Sequence, residues 1–431
     1  MILSRSEHKL SRKEMDRNAL KVMYRLHNHG YKAYLVGGGV RDILLSRKPK
    51  DFDIATDARP SQVKKLFNNC RIIGRRFRLA HILFSGGQVI EVSTFRRKSE
   101  WDPSNCEAVN SALRPENEYG TPEEDAHRRD LTINGLFYNI ANYTIIDYVG
   151  GLEDLQNGIV RVIGDAAERL TEDPVRMIRV IRHAARTGFT IEDSALNFIR
   201  ENNHLINQCS SSRVREEFMR ELRGGFAVES FKLQSELGML EPLFPEYQEL
   251  LNQDPEKTFL GRLLLNLRGA DKIIQSGKTI TDPELMAVFL SPLVRQLGAM
   301  DTDEKGRAGV SKINREVRDV LKPILRRFGF SKGNSELISQ MIFAQYMLNR
   351  AIETKKLPKG LFNKAYFAPG LRLFQVEATG RGQTTPQMFI DAARQRNVDM
   401  LTAPGKSGRR RRKRSNKPYH KQGPSKPKPE Q

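Results

Sequence analysis

The sequence holds only three cysteines, Cys70, Cys106 and Cys209, widely spaced and without a C-x-x-C pair. That set excludes a disulfide scaffold and a cysteine-based zinc site. It fits a reducing compartment, so a cytoplasmic location is expected. No apolar run approaches the roughly 18 residues that a membrane span needs. The opening stretch Met1–His8 has no apolar h-region of a secretory signal. There is no H-E-x-x-H pattern and no convincing fixed-period repeat, and residues 230–400 carry no chemical motif. Acidic residues are in short supply: 72 Lys and Arg stand against 51 Asp and Glu, a net charge of +21. An excess of this size points to a polyanionic partner, nucleic acid or an anionic membrane surface.

What is present is enough to fold. Hydrophobic residues make up 39% of 431 positions, and about 100–200 residues per domain gives a prior of about two to four domains. Residues 405–431 differ from the rest, with 11 Lys or Arg, one Glu and the run Arg409–Arg414. They contain almost no aliphatic residue, so their composition predicts a disordered basic tail.

The pattern of the first hundred residues is mixed. Ser11-Arg12-Lys13-Glu14 reads as a capping box opening a helix that Gly30 stops. Ala33–Val36 reads as a strand entering the turn Gly37-Gly38-Gly39, with a helix over Val40–Leu45. Phe52–Ala55 is a second strand, Ser61–Phe67 a helix, and Ile82–Phe84 with Val89–Phe95 a hairpin turning at Gly86-Gly87. The order predicts a small mixed sheet with helices on one face. After about residue 165 the periodicity is helical, as in Pro174–Arg186 and in the stripe Val317, Val320, Leu321, Ile324, Leu325.

The chemical signal lies in Gly37-Gly38-Gly39-Val40-Arg41-Asp42 followed by Lys50-Asp51-Phe52-Asp53. A glycine turn before a helix leaves backbone N–H groups free to face an anion, with Arg41 as a phosphate fork. Asp51 and Asp53, two apart on a strand, fall on one face. Paired carboxylates repel unless a cation lies between them, and hard oxygen ligands suit Mg²⁺ shared with substrate phosphates. A two-metal site calls for a third carboxylate. Glu91, within Val89–Ser93, and Asp130, within His127–Asn134, are the two candidates.

These motifs, together with Glu124–Asn134 and Glu172–Arg182, resemble the class II branch of the polymerase-β-like nucleotidyltransferases, over roughly residues 15–225. That branch holds tRNA CCA-adding enzymes and bacterial poly(A) polymerases. Gly74–His81, the inserted region between Arg97 and Glu123, and the basic tail look like the poly(A) polymerases. The resemblance implies an α+β fold: a nucleotidyltransferase sheet domain (1–165), a helical neck reading the base (166–228), a helical RNA-binding body (229–400) and the tail (401–431).

It also implies site roles. Asp51 and Asp53, with Glu91 as third candidate, would hold two Mg²⁺ ions, and Asp130 looks like the family's further essential aspartate. Asp173 and Arg176, at i, i+3, would read the Watson–Crick edge of the base. Gly37, Gly38, Arg41, Arg129, Asn134, Arg179 and Arg182 would bind or position the nucleotide. The implied activity is template-independent polyadenylation of RNA 3′ ends with ATP, and the alternative is CCA addition to tRNA with CTP and ATP. RNA-decay proteins docking on the tail are a further expectation from the resemblance.

Overall fold

The computed structural model describes residues 1–74, 78–97, 119–300 and 306–401. The Arg75–Phe77 part of the Gly74–His81 stretch, most of the insertion between Arg97 and Glu123, and the basic tail lie outside the described residues.

One mixed sheet has the strand order β1-β8-β7-β2-β3-β6-β5-β4. Its strands are β1 (Ile2–Leu3), β2 (Ala33–Val36), β3 (Asp53–Thr56), β4 (Cys70–Ile73), β5 (Leu79–Leu83), β6 (Val89–Thr94), β7 (Leu136–Asn139) and β8 (Ile145–Asp147). Helices α1 (Arg17–Asn28), α2 (Gly38–Leu44), α3 (Pro60–Leu66), α4 (Pro122–His127) and α5 (Gly151–Asn157) belong to this part. Next come α6 (Ala166–Glu172), α7 (Val175–Thr187), α8 (Asp193–Asn202) and α9 (Ser211–Leu222), and helices then dominate as far as Gln395. The fold is α+β, as expected. Among the described residues no helix is long and apolar enough to cross a membrane.

Period-two alternation splits the sheet residues between two cores. Leu35, Ile54, Ile90 and Val92 pack beneath Val22, Met23 and Leu26 of α1 and Val63 of α3. Tyr34, Val36, Ala55, Phe95 and Phe137 face the other way, where Ala126 of α4 joins them. A third core runs from Leu131 to Leu401 and joins helices α6–α9 to those that follow. Its centre is aromatic: Phe244 stacks on Phe328 with centroids 4.6 Å apart, and Tyr247 on Phe289 at 4.5 Å.

Two local expectations need correction. The Ser11–Glu14 box forms, but it closes a single 3₁₀ turn (Arg12–Glu14). The helix proper starts at Arg17, where Asp16 accepts from the N–H groups of Asn18 and Ala19. β3 begins at Asp53, so Asp51 sits in the preceding loop and not on the strand.

Candidate active site

The site forms where β2, β3 and β6 meet. β2 pairs antiparallel with β3, setting Val36 opposite Asp53. β3 pairs parallel with β6, setting Asp53 opposite Glu91. Opposed residues point to the same side, so both carboxylates leave the face away from α1 and α3. His81, opposite Glu91 on β5, joins them with Nε2 3.3 Å from Glu91 Oε2.

The glycine turn closes over this point. Gly37 has φ +69°, a conformation that side chains resist. A Cβ there would lie 3.5 Å from Arg129 Nη1 and 4.0 Å from Asp53 Oδ2. Arg129 is held by Asp125 Oδ2 at 2.8 Å and lies over the Phe137 ring at 5.1 Å.

Asp53 has a surface open to solvent, yet neighbouring protein atoms crowd its carboxylate. Burial, then Glu91 and then Asp51 push its carboxyl up to about 6, with partial relief from Arg129. Three carboxylates therefore share one field with too little positive charge. That surplus fits a divalent cation. Among the described residues no three His, Cys, Asp or Glu side chains gather as a ready-made metal site.

Arg41 departs from the expected phosphate fork. Its residue is 1% exposed. Its guanidinium donates to Asp42 Oδ1 at 2.7 Å, Asn134 Oδ1 at 2.6 Å and His183 Nδ1 at 3.1 Å. Burial and four surrounding arginines drive the His183 pKa well below its ordinary value, so a neutral imidazole accepts at Nδ1. Arg41 and Asn134 thus bind the glycine helix to α7. A Cβ on Gly38 would come within 3.2 Å of Arg41 Nη2.

Asp130 also faces elsewhere. Its side chain is 10% exposed and meets Arg179 Nη2 at 2.7 Å. Burial works to raise its pKa, but Arg179 and the N–H of Leu131 outweigh that and hold it below the usual range. Of the two candidates for the third carboxylate, Glu91 stands at Asp53 and Asp130 at Arg179.

Asp173 and Arg176 do not share one helix. Pro174 separates α6 from α7, and Asp173 caps the former. They remain neighbours, Arg176 Nε being 4.0 Å from Asp173 Oδ2. Arg176 donates to the Arg169 carbonyl at 2.7 Å and to Glu172 at 3.1 Å. Asp173 Oδ2 accepts from Arg213 of α9 at 2.7 Å, and its Oδ1 is buried without a partner. A recess of about 190 Å³ lined by Val175, Ser212, Arg213, Glu216 and Glu217 adjoins the pair. Sequence reasoning missed Arg213, Glu217, Asp42, Asp125 and His183. Asp42 and Asp125 carried a signal, as members of the glycine motif and of the Glu124–Asn134 stretch.

The sheet, the glycine turn and the acidic pair define a nucleotidyltransferase head set on helices. Residues 33–161 match the poly A polymerase head domain family, and residues 188–251 the family described as the probable RNA and SrmB-binding site of polymerase A. Poly(A) polymerase I of Escherichia coli is 39% identical over 354 residues, 81% of this chain and 76% of that one. The Haemophilus influenzae poly(A) polymerase I is 34% identical over 392 residues, 90% and 86% of the two chains. Among solved structures, the Bacillus stearothermophilus CCA-adding enzyme in complex with CTP has a TM-score of 0.63 at 24% identity, over 89% of this chain and 82% of that one, a likeness of fold. The chain belongs to the bacterial poly(A) polymerases, class II nucleotidyltransferases related to the CCA-adding enzymes.

Proposed function

We propose that this chain adds adenylate from ATP to RNA 3′ ends without a template and releases pyrophosphate. The observation that carries the reading is Asp53, raised in pKa between Glu91 and Asp51 beside the glycine turn. Two Mg²⁺ ions at Asp51, Asp53 and Glu91 would supply the Lewis acidity that activates the 3′-hydroxyl and stabilises the leaving pyrophosphate.

The protein's own groups position the substrates. Backbone N–H groups after Gly37 face the triphosphate, and Arg129, anchored by Asp125, stands beside it. Asp173, with one carboxylate oxygen free of any protein partner, accepts from the adenine amino group, and Arg176 presents donors. Asp130 acts by fixing Arg179. Arg41 and Asn134 hold the glycine helix against His183 of α7. RNA lies along the helices beyond α9. The stretch 405–431 adds phosphate affinity and a site for RNA-decay proteins, and the location is cytoplasmic.

The test is nucleotide choice. Incubated with a generic RNA and labelled ATP or CTP, the protein should build long adenosine tracts from ATP alone. Completion of a tRNA end with two cytidines and one adenosine would give the CCA reading instead.

A further inference from the structure

Two neck helices run side by side from Asp173, the proposed base acceptor, to the loop that carries Asp51. Asp173, just before α7, pairs with Arg213 near the start of α9 at 2.7 Å. Midway, Arg179 and Arg182 of α7 reach Glu217 of α9 at 3.7 and 3.4 Å. Later residues of one helix pair with later residues of the other, so the helices are parallel. At 1.5 Å per residue each spans about 18–20 Å.

Both helices end at one loop, residues 45–52, which delivers Asp51. Arg47 donates through Nη1 to the Arg186 carbonyl at 2.6 Å and through Nη2 to the Thr187 carbonyl at 3.1 Å. Lys50 Nζ donates to the carbonyls of Arg223 and Gly224 at 3.3 and 3.5 Å. Thr187 is the last residue of α7, and Arg223 caps α9. Terminal carbonyls lack intrahelical partners and carry the helix's negative end, so a cation there meets both needs. Arg186, from the same end of α7, also meets Asp42 of α2 at 2.6 Å. Ser46, at φ +57°, turns the loop between these contacts. Asp51 follows Lys50 directly, and its carbonyl lies 3.5 Å from where a Gly39 Cβ would be.

We propose that Arg47 and Lys50 are positioning residues that register the Asp51 loop against the C-terminal ends of α7 and α9. Through them, the fit of a base at the Asp173–Arg213 end governs where Asp51 stands during the chemical step. This rests on the reading of Asp173 as the base acceptor and of Asp51 as a metal ligand. The coupling is mechanical: two parallel rods, read at one end and clamped to the catalytic loop at the other.

The experiment compares Arg47→Met/Lys50→Met, Lys50→Met alone and Arg47→Lys/Lys50→Arg with the parent chain. It measures kcat and KM for single additions of the favoured and the disfavoured nucleotide, and Tm. The double Met variant should lose roughly ten- to hundredfold in kcat for the favoured nucleotide, the scale of a small misplacement of reacting groups. Its KM should stay within about threefold, and the preference ratio in kcat should fall toward one. The Lys/Arg variant should keep most of both. If the double Met variant does not fold, Lys50→Met decides, because that side chain is exposed. An unchanged ratio, or an equal loss for both nucleotides, overturns the coupling. A parent chain that favours a nucleotide other than ATP defeats the polyadenylation reading instead, while the ratio test still stands.

Discussion

Glu91 stands directly across from Asp53 on parallel strands, and the same carboxylate meets His81 Nε2 at 3.3 Å. One acidic side chain therefore links Asp53 to the β5 edge of the cleft. Asp130, in contrast, is committed to Arg179. The two carboxylates should fail in different ways when changed.

Glu91→Gln should weaken the response to Mg²⁺, raising the ion concentration for half-maximal rate several-fold. Asp130→Asn should leave that concentration unchanged and raise KM for ATP, because it frees Arg179. Titrating rate against Mg²⁺ and against ATP separates the two. Asp130→Ala should also lower stability by roughly 2–3 kcal/mol, below the range for fully buried pairs because Arg179 is partly exposed.

Asp53→Asn should cut kcat on the order of a thousandfold, as for a group acting chiefly in the transition state. RNA binding, measured by filter retention, should change by less than about threefold, since phosphate contacts elsewhere carry that affinity.

The pH dependence follows from the Asp53 carboxyl, at about 6 against an ordinary 3.8. Its folded pKa is raised, so the stability it contributes is present below the unfolded value and lost as pH rises through about 6. In metal-free protein, Asp53→Asn should therefore raise Tm at pH 7.5, and the gain should vanish near pH 4. Protons and Mg²⁺ compete for this carboxylate, so Mg²⁺ affinity should fall as pH drops through 6.

Gly37→Ala should lose about 1–2 kcal/mol, because φ +69° disfavours a Cβ. The added methyl would stand 3.5 Å from Arg129 Nη1 at the mouth of the turn. A drop in Tm together with a raised KM for ATP is the expected pair of results.

Deleting residues 405–431 removes 11 Lys or Arg and one Glu. The slope of log affinity for RNA against log salt should become shallower, with adenylate transfer to a short primer at low salt retained.

The sequence made some of this legible and not the rest, for physical reasons. The glycine turn and Asp53 could be read because both depend on neighbours within a few positions. The strands β4, β7 and β8 went unread, being four residues or fewer, and β7 and β8 also depend on pairing with β2 and β1, far away along the chain. The role of Arg41 was hidden because its partners, Asn134 and His183, lie 93 and 142 positions away. The i, i+3 spacing of Asp173 and Arg176 suggested one helix, but Pro174 between them starts a new one. Their proximity survived through the turn itself.

The alternation along β6 carries a consequence for how errors are handled. Ile90 and Val92 face α1 while Glu91 faces the cleft. A slip of one residue would thrust the aliphatic pair into water and bring one of them against Asp53. Any misthreaded copy would thus be unstable and inert at once, so quality control by proteolysis of loose chains would also purge dead enzyme.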